Sequence, residues 1–330
     1  MSTLYLHGMG HFQPENIITN QFLEDMDIGT NKEWILERVG ILTRHTVLPL
    51  AYIKDTKNSD PKAAFEASLY TNAKMGAAAA LMAIDRAGIK LEDIGLLIAG
   101  TSSAEHVAPA ESSTIAAELG IEVPCFDMCS ACSTFGMQLT FLSGMKPEAL
   151  PPYVLLVDTE SLTRRVDYSD RKAAVLFGDG STAAVVSTSV PTNKVFSSCE
   201  YNSKPSEWGR VGILSGTGYF YQDGNIVQGF AIRKTTETIR MLQQAYAAEA
   251  SRFIFIGHQA NLGMLQTVCE RCSIPEENHW HNVQYLGNTG CSGAPSVMSQ
   301  HWDDLQPGNH VALSIVGAGL SWVHTMLQVK

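Results

Sequence analysis

The chain carries one arrangement twice. LEDIGLLIAG at 91–100 is an apolar strand candidate that leads through a polar turn into a helix beginning near Glu111. RFIFIGH at 252–258 does the same and leads into a helix over Gln259–Cys269. PCFDMCSAC at 124–132 reads as strand, tight turn and helix start, and HNVQYLGNTGC at 281–291 repeats that rhythm. Each half also sets a Gly-x-Gly turn beside an apolar strand, Gly178-Asp179-Gly180 and Gly317-Ala318-Gly319. This weak duplication suggests a pseudo-twofold arrangement of two similar units, and chance similarity between α/β segments explains it equally well on its own.

The intervening elements fit that arrangement. Strands are expected at Thr3–Leu6, Ile94–Ala99, Tyr153–Val157, Thr182–Val186, Phe253–Ile256, Val283–Leu286 and Val311–Val316. Helices are expected over Phe22–Met26 behind Thr19 and Asn20, over Asn31–Val39 capped by Thr30, and over Ala73–Ala87. Gly40 and Gly88 stop the last two. Residues 47–72 form a polar excursion. Alternating β and α elements imply an α/β fold with largely parallel strands. A chain of 330 residues with 45% hydrophobic and 17% charged residues supplies a core for one large or two fused domains. No apolar run nears the roughly 18 residues of a membrane span, and no N-terminal stretch reads as a signal peptide. Seven cysteines in so long a chain point to a reducing, cytoplasmic setting rather than a disulfide scaffold. A net charge of -10 with 23 Lys plus Arg argues against general nucleic-acid binding.

Three residues at strand ends carry chemistry. Cys132 follows a strand candidate and a tight Ser130-Ala131 approach, and opens the helix-compatible run Thr134–Met145. That is the placing of a nucleophile at a helix N-terminus. A helix dipole contributes roughly 0.3–2 kcal/mol to an anion there, enough to lower a thiol pKa by about one unit. His258 comes directly after the Phe253–Ile256 strand, where α/β folds place their sites. Asn288 stands in Leu-Gly-Asn-Thr-Gly, where flanking glycines let the backbone turn sharply and present the amide. Taken singly, a buried structural cysteine, a structural histidine and an ordinary Asn turn explain them as well. Together they make a thiol nucleophile with two neutral hydrogen-bond donors.

DMCSACSTF at 127–135, GHQAN at 257–261 and LGNTG at 286–290 resemble the three active-site motifs of β-ketoacyl-acyl-carrier-protein synthase III, a condensing enzyme of the thiolase superfamily. FGDGSTAAVV at 177–186, GAGLSWVHTML at 317–327 and EWILERVGILTRH at 33–45 are similar to further segments of that family, in family order over nearly the whole chain. The resemblance implies a thiolase-like five-layered αβαβα fold from two similar halves, residues 1–187 (with the 47–72 excursion as an insertion) and 188–330, assembled as a homodimer. It implies acylation of Cys132, then decarboxylative Claisen condensation with a malonyl- or β-ketoacyl-type thioester. His258 and Asn288 would stabilise the enolate, and the backbone N–H groups of Cys132 and Ala318 the second oxyanion. Trp34 and Arg38, four residues apart on one helix face, would meet coenzyme A at the entrance. Trp34 would stack on adenine, Arg38 with Arg164 would meet phosphates, and Asn261 would line the pantetheine tunnel. No cofactor is implied beyond coenzyme A or phosphopantetheine thioesters as substrates.

Departures from the family pattern point to a specialised enzyme of fatty-acid-related or polyketide metabolism. Ala108 stands where the initiating enzymes often carry a bulky residue that limits the acyl pocket across the dimer, which implies a longer or bulkier acyl group. The helix after His258 keeps Arg271, and Lys234 remains, but the basic surface for an acidic acyl carrier protein is thinned. An acyltransferase moving acyl from Cys132 to an alcohol or amine, without loss of carbon dioxide, is the alternative. Three rival readings are weaker. Cys129, Cys132, Cys269 and Cys272 do not have the knuckle glycines of a zinc site. Gly317-Ala318-Gly319 is not followed by the third glycine of a dinucleotide fingerprint. A non-catalytic partner subunit would not need the intact Cys132, His258 and Asn288 set.

Overall fold

The computed structural model describes residues 2–330. Nine strands form one mixed sheet, in the spatial order 252–257, 309–317, 321–329, 194–203, 4–12, 179–187, 153–161, 94–100, 125–127. The order reveals two halves. Outward from Leu4–Phe12 run the N-terminal strands, and outward from Lys194–Ser203 run the C-terminal ones in matching sequence. The halves join where these two strands pair antiparallel, at Leu4↔Phe196 and Tyr5↔Val195 only. In each half an outer pair is parallel: Ile94–Gly100 with Tyr153–Ser161, and Arg252–Gly257 with Asn309–Gly317.

Helices supply the remaining layers. Asn72–Ala87 and Glu111–Leu119 cover the outer face of the N-terminal half, and Gly224–Tyr246 with Leu262–Cys272 cover that of the C-terminal half. Thr134–Gly144 and Gly293–Gln300 lie between, each touching strands of both halves. The alternation αβαβα follows, in a thiolase-like fold. The sequence explains the packing. Asn72–Ala87 buries Ala77, Ala79, Ala80 and Ala83, and so lies so close to Leu4–Phe12 that a side chain at Gly10 would meet Ala79 O at 2.0 Å. Gly224–Tyr246 is amphipathic, burying Phe230, Ala231, Thr235, Ile239 and Leu242 along one face.

Several sequence expectations are corrected. Val283–Leu286 is a short helix, not a strand. The place of a fifth C-terminal strand is reduced to one bridge, Phe255↔His279. Asn31, not Thr30, caps the helix Lys32–Val39, accepting from Trp34 N at 2.8 Å. Gly40 stops that helix and Gly88 the Asn72–Ala87 helix, both in left-handed backbone as expected. The 47–72 excursion contains two short helices, Leu50–Thr56 and Pro61–Ala67.

Candidate active site

The turns that carry Cys132, His258 and Asn288 converge on one cavity of about 1200 Å³. Its lining also includes Trp34, Arg38, Asn261, Arg171 and Ala318. Apolar walls come from Leu162, Phe177, Ile213, Phe220 and Val316. Ile213 and Phe220 belong to a small hairpin of Val211–Ile213 and Phe220–Gln222. Phe220 packs edge-on against Phe177, with ring centroids 4.6 Å apart.

Cys132 lies just ahead of the Thr134–Gly144 helix, after Ala131 in left-handed backbone (φ 47°). This strained elbow turns the thiol away from the chain path. The expectation that the helix dipole would lower its pKa is not met. The N–H groups of Ser133 and Thr134 at the helix start are already given to Ser130 O and Ala131 O, and only the N–H of Cys132 itself favours the thiolate. Burial dominates, and the neighbouring Glu160 and Cys129 add to it, so the thiol is pushed up to about 12. The free enzyme therefore holds Cys132 as a protonated thiol.

His258 and Asn288 are each only 8% exposed. Burial lowers the His258 pKa to about 4, so the ring is neutral at pH 7. Its Nδ1 has no protein partner. Asn288 is fixed from three sides: its N–H donates to Leu176 O at 2.9 Å, its carbonyl accepts from Gly178 N at 3.1 Å, and its Oδ1 accepts from Gly290 N at 3.0 Å. Two neutral amide and imidazole donors at one cavity suit an oxyanion that develops during reaction. Ala318 reaches the cavity from the turn after Asn309–Gly317, and its carbonyl accepts from Ser321 Oγ at 3.1 Å.

At the mouth, Trp34 and Arg38 line the cavity from the Lys32–Val39 helix. Arg164 does not join them. It is 1% exposed, donates to Glu105 Oε1 at 2.8 Å and to Asn72 Oδ1 at 3.3 Å, and lies 4.3 Å from the Phe65 ring centroid. It is a core arginine whose two terminal nitrogens are held by protein acceptors. Beside Arg38 at the mouth stands a second arginine, Arg171, whose guanidinium lies 5.0 Å from the Trp34 ring centroid and donates to Gly29 O at 2.6 Å. Asn261 caps Leu262–Cys272 by accepting from Met264 N at 3.0 Å, and its Nδ2 donates to Arg38 O at 3.1 Å. It thereby ties the two mouth helices together. Ala108 is exposed, beside the cis Ala108-Pro109 bond, and does not line the cavity of its own chain.

Glu160 is a residue that the motifs did not single out. It is fully buried near the end of Tyr153–Ser161, behind the cavity wall, and accepts from Ser103 Oγ at 2.7 Å, Ser102 N at 3.1 Å and Cys291 Sγ at 3.2 Å. The sequence signal is weak, a second acid two residues after Asp158 in the polar end of the strand YVLLVDTES. The four cysteines of the rival zinc reading are set apart in the fold: Cys269 and Cys272 belong to a different core cluster from Cys132.

Comparison with known proteins agrees with this arrangement. Residues 126–205 match the family 3-oxoacyl-[acyl-carrier-protein (ACP)] synthase III, and residues 242–329 match its C-terminal part, together just over half of the chain. The chain is 28% identical over 328 residues to the beta-ketoacyl-[acyl-carrier-protein] synthase III of Vesicomyosocius okutanii, covering 97% of each. It is 29% identical over 341 residues to that of Campylobacter fetus, again covering 97% of each. Its fold is similar to the crystal structure of 3-oxoacyl-[acyl-carrier-protein] synthase III from Aquifex aeolicus, with a TM-score of 0.85, 26% identity, and 98% and 99% of the two chains covered.

Proposed function

The chain belongs to the 3-oxoacyl-[acyl-carrier-protein] synthase III family of condensing enzymes, transferases that join two thioesters by decarboxylative Claisen condensation, and from that premise we propose how its own residues divide the work. Cys132 takes the acyl group as a thioester, releasing the thiol of the donor. A malonyl-type thioester then enters by the Trp34–Arg171 mouth. As carbon dioxide leaves, negative charge moves onto the thioester oxygen, and His258 and Asn288 donate to it. The resulting carbanion attacks the acyl carbonyl, whose oxygen receives the backbone N–H groups of Cys132 and Ala318. The tetrahedral adduct collapses by breaking its bond to Cys132 Sγ, the β-ketoacyl product leaves with the new carbon–carbon bond, and the Cys132 thiolate takes a proton from solvent.

The observation that carries this reading is the convergence of one thiol and two neutral, buried donors on a single cavity. A plain acyltransferase, the alternative, would need a base for an alcohol or amine but no pair of donors for an enolate. Trp34 and Arg171 flank the mouth in a way that suits the adenine and phosphates of coenzyme A. We further read the chain as a homodimer joined at the Cys125–Asp127 strand, the sheet's outermost, which pairs on one side only and leaves Phe126 exposed. An acyl carrier protein is the natural second donor in this family. The thinned basic surface leaves coenzyme A thioesters as the donor this mouth favours.

Intact-protein mass spectrometry with a panel of acyl thioesters tests the assignment. One acyl group should add to the wild-type chain and map to Cys132, and none should add to Cys132→Ser, whose hydroxyl is a far weaker nucleophile at neutral pH. An adduct that persists in Cys132→Ser, above all one on Cys129, overturns it.

A further inference from the structure

We propose that Glu160 is a positioning residue for the condensation step: its carboxylate staples the loop after Ile94–Gly100 to the Gly290–Cys291 turn and so aims the Asn288 side-chain amide into the cavity. The inference rests on the reading of Cys132 as nucleophile and Asn288 as enolate donor.

The groups around the carboxylate are donors. Ser102 N lies 3.1 Å from each oxygen, Ser103 Oγ 2.7 Å, Cys291 Sγ 3.2 Å and Thr101 Oγ1 3.4 Å away. Burial pushes the Glu160 carboxyl above its usual range, while the Ser102 N–H that reaches both oxygens and the bonds from Ser103 and Cys291 oppose that shift and favour the carboxylate. Two of the segments it joins reach the cavity, through Ser102 and Gly290. Glu160 itself does not line it, so it acts through others. Gly290 makes this possible. It has φ 59°, and a side chain there would meet Glu160 Oε1 at 2.8 Å and Cγ at 2.9 Å. The Gly290 N–H, held in place against the carboxylate, donates to Asn288 Oδ1. Because an N–H can only donate, this bond fixes which end of the amide is oxygen. The Nδ2 end is then the one that meets the substrate.

The charge of Glu160 gives a second handle. The ionisable groups that face it are Asp158 on its own strand, Cys129 and Cys132 from the nucleophile turn, Cys291 from the Gly290 turn, and the more distant Arg165. Its negative charge adds to burial in holding Cys132 protonated. A residue that merely packed would not affect the reactivity of that thiol.

The test uses the full-length enzyme with Glu160→Gln and Glu160→Asp. Three rates are measured: acylation of Cys132, carbon dioxide release from a malonyl thioester by the pre-acylated enzyme, and iodoacetamide alkylation of Cys132 at pH 8, mapped by peptide mass. Glu160→Gln is expected to raise alkylation roughly tenfold, as one pKa unit would. It should lower carbon dioxide release roughly tenfold or more, as for a misaligned oxyanion donor. Acylation should hold or rise rather than fall, since it uses the same thiol and does not use Asn288. Glu160→Asp keeps the charge but not the reach, so alkylation should stay near wild type while carbon dioxide release still falls. The proposal is overturned if both variants release carbon dioxide at the wild-type rate, or if alkylation is unchanged in Glu160→Gln and all steps slow together. If Glu160→Gln fails to fold, Ser103→Ala removes the 2.7 Å bond instead, and undiminished carbon dioxide release in that variant overturns the proposal as well. A wild type that is not acylated on Cys132, or releases no carbon dioxide, shows instead that the underlying reading has failed.

Discussion

At the scale of single residues, the site is set by what burial does to two groups. It holds the Cys132 thiol protonated and the His258 imidazole neutral. The first point gives a prediction opposite to that of an exposed reactive cysteine. Iodoacetamide should alkylate Cys132 of the free enzyme at pH 8 at least tenfold more slowly than a free cysteine with a pKa of about 8.5. Its rate should climb through pH 9 without a plateau, and a plateau below pH 8 would contradict the account. The second point predicts that no inflection from His258 appears between pH 5 and 8 in the carbon dioxide release rate, because its proton is gained only near pH 4. The convergence of Cys132, His258 and Asn288 on one cavity was legible because each lies in a short motif at a turn, after a strand for the first two and after a short helix for Asn288. Glu160 was not, since an acid inside VDTES reads as an outward-facing residue until the sheet shows both faces covered.

At the scale of elements, the two arginines show what sequence leaves open. Arg164 and Arg171 stand seven residues apart after the same strand, and nothing in their neighbours says which turns inward. The fold decides. Arg164 follows Ser161 in the 3₁₀ turn Leu162–Arg165 and is drawn to Glu105 and Asn72. Arg171 starts the short helix Arg171–Ala174, capped by Asp170, at the cavity mouth. The two substitutions should therefore part company. Arg164→Ala leaves Glu105 without its partner and should destabilise the fold by about 3 kcal/mol, read by denaturant unfolding. Arg171→Ala should leave stability nearly unchanged and raise KM for coenzyme A thioesters several-fold, with little effect on short pantetheine thioesters that do not reach the mouth. Equal effects on both substrates would remove Arg171 from coenzyme A binding. The Val283–Leu286 segment shows a different limit. Its short apolar run fits strand or helix equally well, and the structure makes it a helical turn that ends at Gly287, just ahead of Asn288.

At the scale of the whole molecule, the paired halves explain why one cavity receives loops from both. The N-terminal half brings Cys132, the C-terminal half brings His258, Asn288 and Ala318, and the dimer reading adds the loop of Ala108 from a second copy. The acyl-length test belongs here. If that loop closes the partner's cavity, wild type should acylate faster with medium-chain than with acetyl thioesters, since each buried methylene adds roughly 0.8 kcal/mol. Ala108→Phe should then reverse the order. Uniform slowing at all chain lengths would detach Ala108 from the acyl pocket. Stability at acid pH tests the C-terminal edge. His279 stacks on Phe255, its Nε2 has no partner, and burial holds its pKa near 4 against 6.5 in the unfolded chain. Its stabilising share is thus complete above pH 6.5 and is lost as pH falls towards 4, because the unfolded chain takes up the proton first. Asp179, raised to about 6, acts in the opposite sense, so the informative quantity is a difference. The stability gap between wild type and His279→Gln should narrow by roughly 2 kcal/mol from pH 7 to pH 4.5.

The central claim is that carbon dioxide leaves at the donor pair, after and apart from acyl transfer to Cys132. The most direct measurement follows both events in one experiment, with a carboxyl-labelled malonyl thioester and mass detection of the acyl-enzyme, for wild type, His258→Ala and Asn288→Ala. The account predicts that all three acylate Cys132, that wild type releases one carbon dioxide per condensed product, and that each variant loses roughly a hundredfold or more of that release. Condensed or acyl-transferred product from wild type with no labelled carbon dioxide, or full release from both variants, would contradict it.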